Sequence, residues 1–134
     1  MVSNKFFALV AGVGPGTGRS VALKFSEQYP VVLLARHPES YDDVVAQINK
    51  AGGKAIGFPT DATDESSLAS AFEKIKTEFG NLQLAAAIYN VRPNSRPSRK
   101  PFLELKLEDL DRSLEGNLYV FSLAKSLLLK LRCH

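Results

Sequence analysis

The sequence predicts an α/β protein organised around a doubly wound parallel sheet, and three observations carry the prediction. Several short runs are apolar at every residue, the pattern of strands buried on both faces by helices. Between them lie longer stretches whose apolar residues recur at helical spacing, so strands and helices alternate along the chain. Glycine and proline stand at the junctions.

Phe6 to Val13 is the first such run and reads as a strand. A glycine-rich stretch follows, then Val21, Ala22, Phe25 and Tyr29 at helical spacing, and Pro30 stops that helix before a second strand, Val31 to Ala35. Strand, helix and strand fit within about 30 residues, the length of a βαβ unit. Ser40 is the expected N-cap of a helix carrying Tyr41, Val44, Val45 and Ile48, which ends at Gly52-Gly53. Lys54 to Phe58 is the expected third strand. Asp64 opens the next helix, with Leu68, Ala71, Phe72, Ile75 and Phe79 as its apolar stripe and Gly80 as its stop. Leu82 to Tyr89 supplies a fourth strand. Val91 to Pro101 is rich in proline and in basic residues (Arg92, Arg96, Arg99, Lys100) and reads as a loop. From Leu107 the pattern is helical again, with Leu110, Leu114, Asn117, Phe121 and Leu128 close to one face.

Composition narrows the classes of function. With 134 residues, 45% hydrophobic and 23% charged, the chain supports one globular domain spanning 1–134. The 17 basic and 14 acidic residues leave a net charge of +3, which suits an anionic ligand but falls short of a nucleic-acid surface. The basic loop has no interleaved aromatic platform for stacking bases. Cys133 is the sole cysteine, so neither an internal disulfide nor a metal site is expected, and the reading is a reducing, cytoplasmic setting. Phe6 to Val13 has the apolar character of a leader, yet it runs into Gly14-Pro15-Gly16-Thr17-Gly18 without a small-residue cleavage pattern. No run reaches the roughly 18 apolar residues of a membrane helix.

Gly12, Gly14, Gly16 and Gly18 occupy alternate positions directly after the first strand and directly before the first helix. A dinucleotide site needs this: a tight turn, close backbone approach to a pyrophosphate, and a helix N-terminus whose free N–H groups hold the anion. The alternative is a glycine-rich turn with no ligand. The spacing is G-x-x-x-G-x-G, from Gly12 through Gly16 to Gly18, with Thr17 between the last two. Arg19, which begins the helix, either lines the phosphates or is solvated.

In this turn the chain resembles the short-chain dehydrogenase/reductase family, which writes T-G-x-x-x-G-x-G; Ala11 replaces the threonine. The resemblance implies a Rossmann-like fold, a nicotinamide dinucleotide cofactor and oxidoreductase chemistry. It covers the whole chain but about the first half of a typical member, so the expectation is a C-terminally truncated form. The runs Val-Val-Leu-Leu-Ala-Arg, Gly-Gly-Lys-Ala-Ile-Gly and Lys-Pro-Phe-Leu-Glu-Leu are most similar to uncharacterised fungal reductases of the family, some encoded among secondary-metabolite genes.

The second strand ends at Ala35-Arg36-His37, where an NAD-preferring unit offers an acid to the ribose 2′-OH. Arg36 instead favours a 2′-phosphate, hence NADP(H), unless it is a plain surface arginine. His37 has no second ligand at metal spacing and reads as a loop residue. Phe58-Pro59-Thr60-Asp61-Ala62 resembles the family's aspartate-containing turn, in which Asp61 touches adenine; a turn-forming role suits an aspartate there equally. Where the family usually has N-N-A-G, this chain has Ala87-Ile88-Tyr89-Asn90. Asn90 keeps an amide near the cofactor, and its tolerance of left-handed backbone is expected to stand in for the glycine.

Asn117 matches the asparagine that joins the family's active-site tetrad through the helix backbone and a water. An asparagine facing an apolar stripe is costly unless its amide is paired, which favours a role in function. The family's proton donor is a tyrosine with a lysine four residues on. Here Tyr29, Tyr41, Tyr89 and Tyr119 are followed at that distance by Leu33, Val45, Pro93 and Leu123. Tyr119 and Lys125 lie about 240° apart on a helix and share no face. The expectation is a chain that binds NADP(H) and does no chemistry alone. The alternative is a non-enzymatic module that self-associates, or pairs with another chain, through its fourth strand or last helix.

Overall fold

The computed structural model describes residues 2–91, 101–114, 117–118, 122, 125 and 129. Strands β1 (Phe6–Ala11), β2 (Val31–Ala35), β3 (Ala55–Pro59) and β4 (Gln83–Tyr89) alternate with helices α1 (Thr17–Ser26), α2 (Asp42–Lys50) and α3 (Glu65–Phe79); α4 (Leu107–Leu114) follows β4. Short 3-10 turns occupy Pro38–Ser40 and Phe102–Glu104. All strand pairs are parallel and the order is β3-β2-β1-β4, the α/β doubly wound arrangement that the sequence predicts.

Continuous apolar runs become strands here because alternate residues leave opposite faces and both faces are covered. Phe7, Leu9 and Ala11 of β1, with Val32 and Leu34 of β2, pack against Leu68, Phe72, Ile75 and Phe79 of α3. Ala8, Val10, Val31 and Leu33, the intervening residues, pack against Ala22 of α1 and Val44 and Ile48 of α2. Burying each such leucine or valine side chain contributes about 1.5–3 kcal/mol. On the α3 side, Phe7 and Phe79 stack at 5.5 Å, and the Lys54 ammonium sits 4.8 Å over the Phe79 ring.

Helix ends follow local chemistry. Asp64 caps α3 as expected: its carboxylate accepts from the Ser66 and Ser67 backbone N–H groups at 3.3 and 3.1 Å. A hydrogen bond from the Ser66 hydroxyl, ahead of those backbone donors, holds the Asp64 carboxyl below its ordinary pKa. Ser40 is not the cap of α2. It lies in the preceding 3-10 turn, the cap position is Tyr41 without a side-chain bond, and Asp42 and Asp43 supply the first-turn negative charge instead. β1 stops at Ala11, two residues earlier than predicted, because Gly12 turns the chain at φ +87°. β3 lies one residue later than predicted and β4 starts one residue later.

Among the described residues, β4 is the edge of the sheet beyond β1. Its register slips between Phe7 and Ala8, which pair with Leu84 and Ala86, so Ala85 is the extra residue of a bulge. Leu84 therefore packs with the α3 side, whereas Ala86 and Ile88 pack with the α1 and α2 side. α4 begins at Leu107 as predicted, but Leu107 and Leu110 are 73% and 53% exposed. The basic loop residues Arg92, Arg96, Arg99 and Lys100, and Tyr119, Phe121, Leu128 and Cys133, lie outside the described residues. No helix among the described residues is long and apolar enough to cross a membrane.

The packing of Tyr41 yields a test in which steric exclusion opposes strand propensity. A Cβ added at Gly57 of β3 would lie 2.1 Å from the buried Tyr41 ring. Gly57→Val improves intrinsic strand preference yet is expected to lower the melting temperature, because overpacking costs about 1–3 kcal/mol. Thermal unfolding followed by circular dichroism checks this; an unchanged or raised midpoint contradicts it.

Candidate functional site

A cleft of about 310 Å³ opens at the carboxyl ends of the strands. β1 has β2 on one edge and β4 on the other, so the sheet order reverses there, the position at which open α/β sheets receive ligands. Four chain segments line it: Gly12 and Val13 after β1; Arg36, His37 and Ser40 after β2; Thr60 to Thr63 at and after the end of β3; Asn90 and Val91 after β4. Four of the predicted residues, Gly12, Arg36, Asp61 and Asn90, are thereby brought together from positions far apart in sequence.

The floor is built by a backbone crossing. The Gly12 and Val13 N–H groups both donate to the Leu34 carbonyl, at 2.8 and 3.2 Å, and the Asn90 N–H donates to the Ala11 carbonyl at 2.8 Å. A Cβ on Gly12 would stand 2.2 Å from the Asn90 carbonyl oxygen, and one on Gly18 would stand 2.5 Å from the Gly12 carbonyl oxygen. These two glycines are required by the chain's own packing. Gly14 and Gly16 are not: a Cβ at either meets nothing within 4 Å. Gly16 also caps α1 without a side-chain bond, no acid stands in that first turn, and both Gly16 and Thr17 are exposed. The turn therefore fits an anion such as a pyrophosphate on its outer side.

Arg36 is the first residue past β2 and lines the cleft wall beside His37. Across from it, the Asp61 Oδ1 accepts from the Thr63 N–H at 2.8 Å and from the Thr63 hydroxyl at 2.6 Å, so the turn-forming role of this aspartate is realised. The Asp61 N–H in turn donates to the Ser67 hydroxyl at 2.9 Å. Thr60, the buried polar residue of the region, donates to the Phe58 carbonyl at 3.1 Å and fixes the strand end.

Several expectations are corrected. Arg19 lines a hollow with Gly14 and Pro15 of the turn, and there it pairs with Asp43 and donates to the Gln47 Oε1 at 2.7 Å, tying α1 to α2. Asn90 is not left-handed, since no non-glycine among the described residues has positive φ; Gly12 takes the strained turn. Tyr89, beside Asn90, packs on the α3 side of the sheet, and burial pushes its phenol pKa up. Asn117 is exposed, and it is not among the residues lining this cleft. Ser40, Thr60 and Thr63 are lining residues that the sequence did not single out for the site; only their closeness to Arg36 and Asp61 marks them. No group of acidic, histidine or cysteine side chains able to hold a metal occurs among the described residues.

The two kinds of glycine are separable by experiment. Gly12→Ala forces a side chain into positive φ against the Asn90 backbone and is expected to cost about 1–3 kcal/mol of stability. Gly14→Ala is expected to leave the melting midpoint nearly unchanged while weakening dinucleotide binding, because only a ligand would meet the new methyl group. Melting curves with and without NADPH check both; equal destabilisation by the two changes rules out the distinction.

Comparison with known proteins agrees with this geometry. The short chain dehydrogenase family model matches residues 7–132. A cis-4-hydroxycyclohexanecarboxylate dehydrogenase of Sinomonas cyclohexanicum is 34% identical over 80 residues, covering 60% of this chain and 32% of that protein. A hydroxynaphthalene reductase-like protein of Metarhizium brunneum is 29% identical over 112 residues, covering 82% of this chain and 40% of that one. Among solved structures, a hydroxysteroid dehydrogenase from Escherichia coli superposes with a TM-score of 0.81 at 24% identity, over 96% of this chain and 52% of its own. The chain thus spans about a third to a half of the length of these proteins. The match over nearly all of its residues, on a sheet of the same architecture, makes this chain a member of the short chain dehydrogenase family.

Proposed function

We propose that this chain is the NADP(H)-binding part of a short-chain dehydrogenase/reductase, gripping the dinucleotide at the turn after β1 and selecting its 2′-phosphorylated form through Arg36. The observation that carries the reading is the place of Arg36: first past β2, on the wall of the cleft that also holds Gly12 and Asp61. A carboxylate at this point would accept the ribose 2′-OH; a guanidinium pairs bidentately with a phosphate instead. Gly14, Gly16 and Thr17 leave room for the pyrophosphate, and the carboxylate of Asp61, braced by Thr63, meets the adenine.

The nicotinamide, when bound, supplies the hydride. The proton relay of the family is not carried by these residues, because no tyrosine here has a lysine four positions on. Asn117 keeps its reading as the tetrad asparagine, acting through helix backbone and water. The chain therefore binds cofactor and by itself reduces nothing. A place in secondary metabolism belongs to the same reading and rests on the resemblance of the sequence runs Val31 to Arg36 and Gly52 to Gly57 to reductases encoded among such genes. The single cysteine supports a cytoplasmic setting.

A second reading, association with another chain or a second copy, is favoured by Leu103, Leu107 and Leu110, which are 93%, 73% and 53% exposed around α4. β4 adds an edge with one strand neighbour.

Calorimetric titration of the parent chain and of Arg36→Asp with NADPH and NADH tests the first reading. The parent is expected to prefer NADPH, and the substitution to weaken NADPH about ten- to a hundredfold, matching a charge-assisted contact of about 1.5–3 kcal/mol. NADH is expected to change little, and no carbonyl compound should provoke NADPH oxidation above a heat-treated control. Equal affinities in the parent would overturn the cofactor preference. For the second reading, light scattering over a concentration series is expected to show mass rising with concentration; a constant monomer mass removes it.

A further inference from the structure

The position at which the family usually carries a glycine holds Asn90 here, and its side chain has a definite job in the structure. Asn90 Nδ2 donates to the Gly12 carbonyl oxygen at 3.2 Å, across 78 residues of sequence. The same Nδ2 lies 3.3 Å from where a Cβ on Gly18 would stand, so the carboxamide reaches from the end of β4 to the first turn of α1. Its backbone is fixed independently, by donation to the Ala11 carbonyl and by the close approach of Gly12. With the backbone held, the short side chain has little freedom left to lose when it makes this bond.

We infer that Asn90 is a positioning residue: by holding the Gly12 carbonyl from outside the turn, it keeps the Gly12–Gly18 loop in the shape a dinucleotide needs before one arrives. The Gly12 carbonyl is the point at which the turn leaves β1, and the next ring of bonds depends on its direction. The Arg19 N–H donates to the Gly14 carbonyl at 3.1 Å and the Ser20 N–H to the Gly16 carbonyl at 3.3 Å, which closes the loop onto α1. Preorganisation of this kind raises affinity by removing an ordering cost that binding would otherwise carry. It serves the part of the ligand common to NADPH and NADH, whereas Arg36 serves the part in which they differ. The inference rests on the dinucleotide reading for its ligand, but its claim about the loop is a property of the free protein.

The 134-residue chain is compared with Asn90→Ala and with the near-isosteric Asn90→Leu, which fills the same space without charge and has no N–H to donate. Amide hydrogen exchange is measured on the free proteins and NADPH and NADH affinities are taken by calorimetry, all well below the melting transition. Both substitutions are expected to speed exchange of the Gly12, Val13, Arg19 and Ser20 amides while sparing β2 and α3. Both cofactors are expected to weaken by the same factor, about three- to tenfold, as one neutral hydrogen bond predicts. Should Asn90→Ala fail to melt cooperatively, Asn90→Leu decides. Unchanged exchange in the loop overturns the inference, whether affinity falls or holds, and so does exchange that rises evenly over the whole sheet. A factor that differs between NADPH and NADH overturns it too. If the parent binds neither cofactor, the proposed function fails while the exchange data still judge the loop.

Discussion

β1 is paired on both edges and covered on both faces, and the remaining architecture is arranged around that strand. Its register with β2 and β4 sets where the other strands end, and its alternating side chains divide the core between α3 on one side and α1 with α2 on the other. A six-residue strand buried so completely has no room for polar atoms, so every backbone group must find a partner in the sheet. The exit from β1 is correspondingly constrained: the Gly12 and Val13 N–H groups turn to the Leu34 carbonyl while the Ala11 carbonyl is taken by Asn90.

That exit is also the site. Because β4 closes on β1 at Asn90, the residue after Ala11 has no space for a side chain and adopts φ +87°. The turn forced by packing puts Gly12 and Val13 in the cleft, and the same crossing of strands brings Arg36 and Asp61 around them. Sheet packing and the shape of the cleft are one arrangement here. Arg19 ties α1 to α2 through Asp43 and Gln47, while Arg36 and His37 line the cleft wall.

The edge at β4 and the leucines of α4 have the opposite character. Gln83, Ala85 and Ala87 of β4 are exposed, and α4 carries strongly apolar side chains outward. A helix with one apolar stripe lowers its free energy only when something covers that stripe. Tertiary packing, more than propensity, holds most helices in place, and among the described residues α4 has the weakest claim to it.

What the sequence determined by itself was the order and kind of the elements. Periodicity of two and of 3.6 residues is a local property, and unbroken runs such as Val31 to Ala35 declare burial on both faces without reference to any partner. The Asp64 cap was legible for the same reason, since a side chain that accepts from Ser66 and Ser67 acts within one turn. The glycine spacing marked the turn between β1 and α1, and the end of the second apolar run marked Arg36, which lines the cleft. Tertiary structure decided the rest. Local chemistry alone made Ser40 a plausible cap, but the 3-10 turn at Pro38–Ser40 swings it to the cleft instead. Nothing near Arg19 in sequence announces Asp43, 24 residues away, as its partner. The left-handed backbone fell to Gly12 and not to Asn90 because the strain is set by how closely β1 and β4 approach. That distance belongs to the sheet, and no short stretch of sequence encodes it.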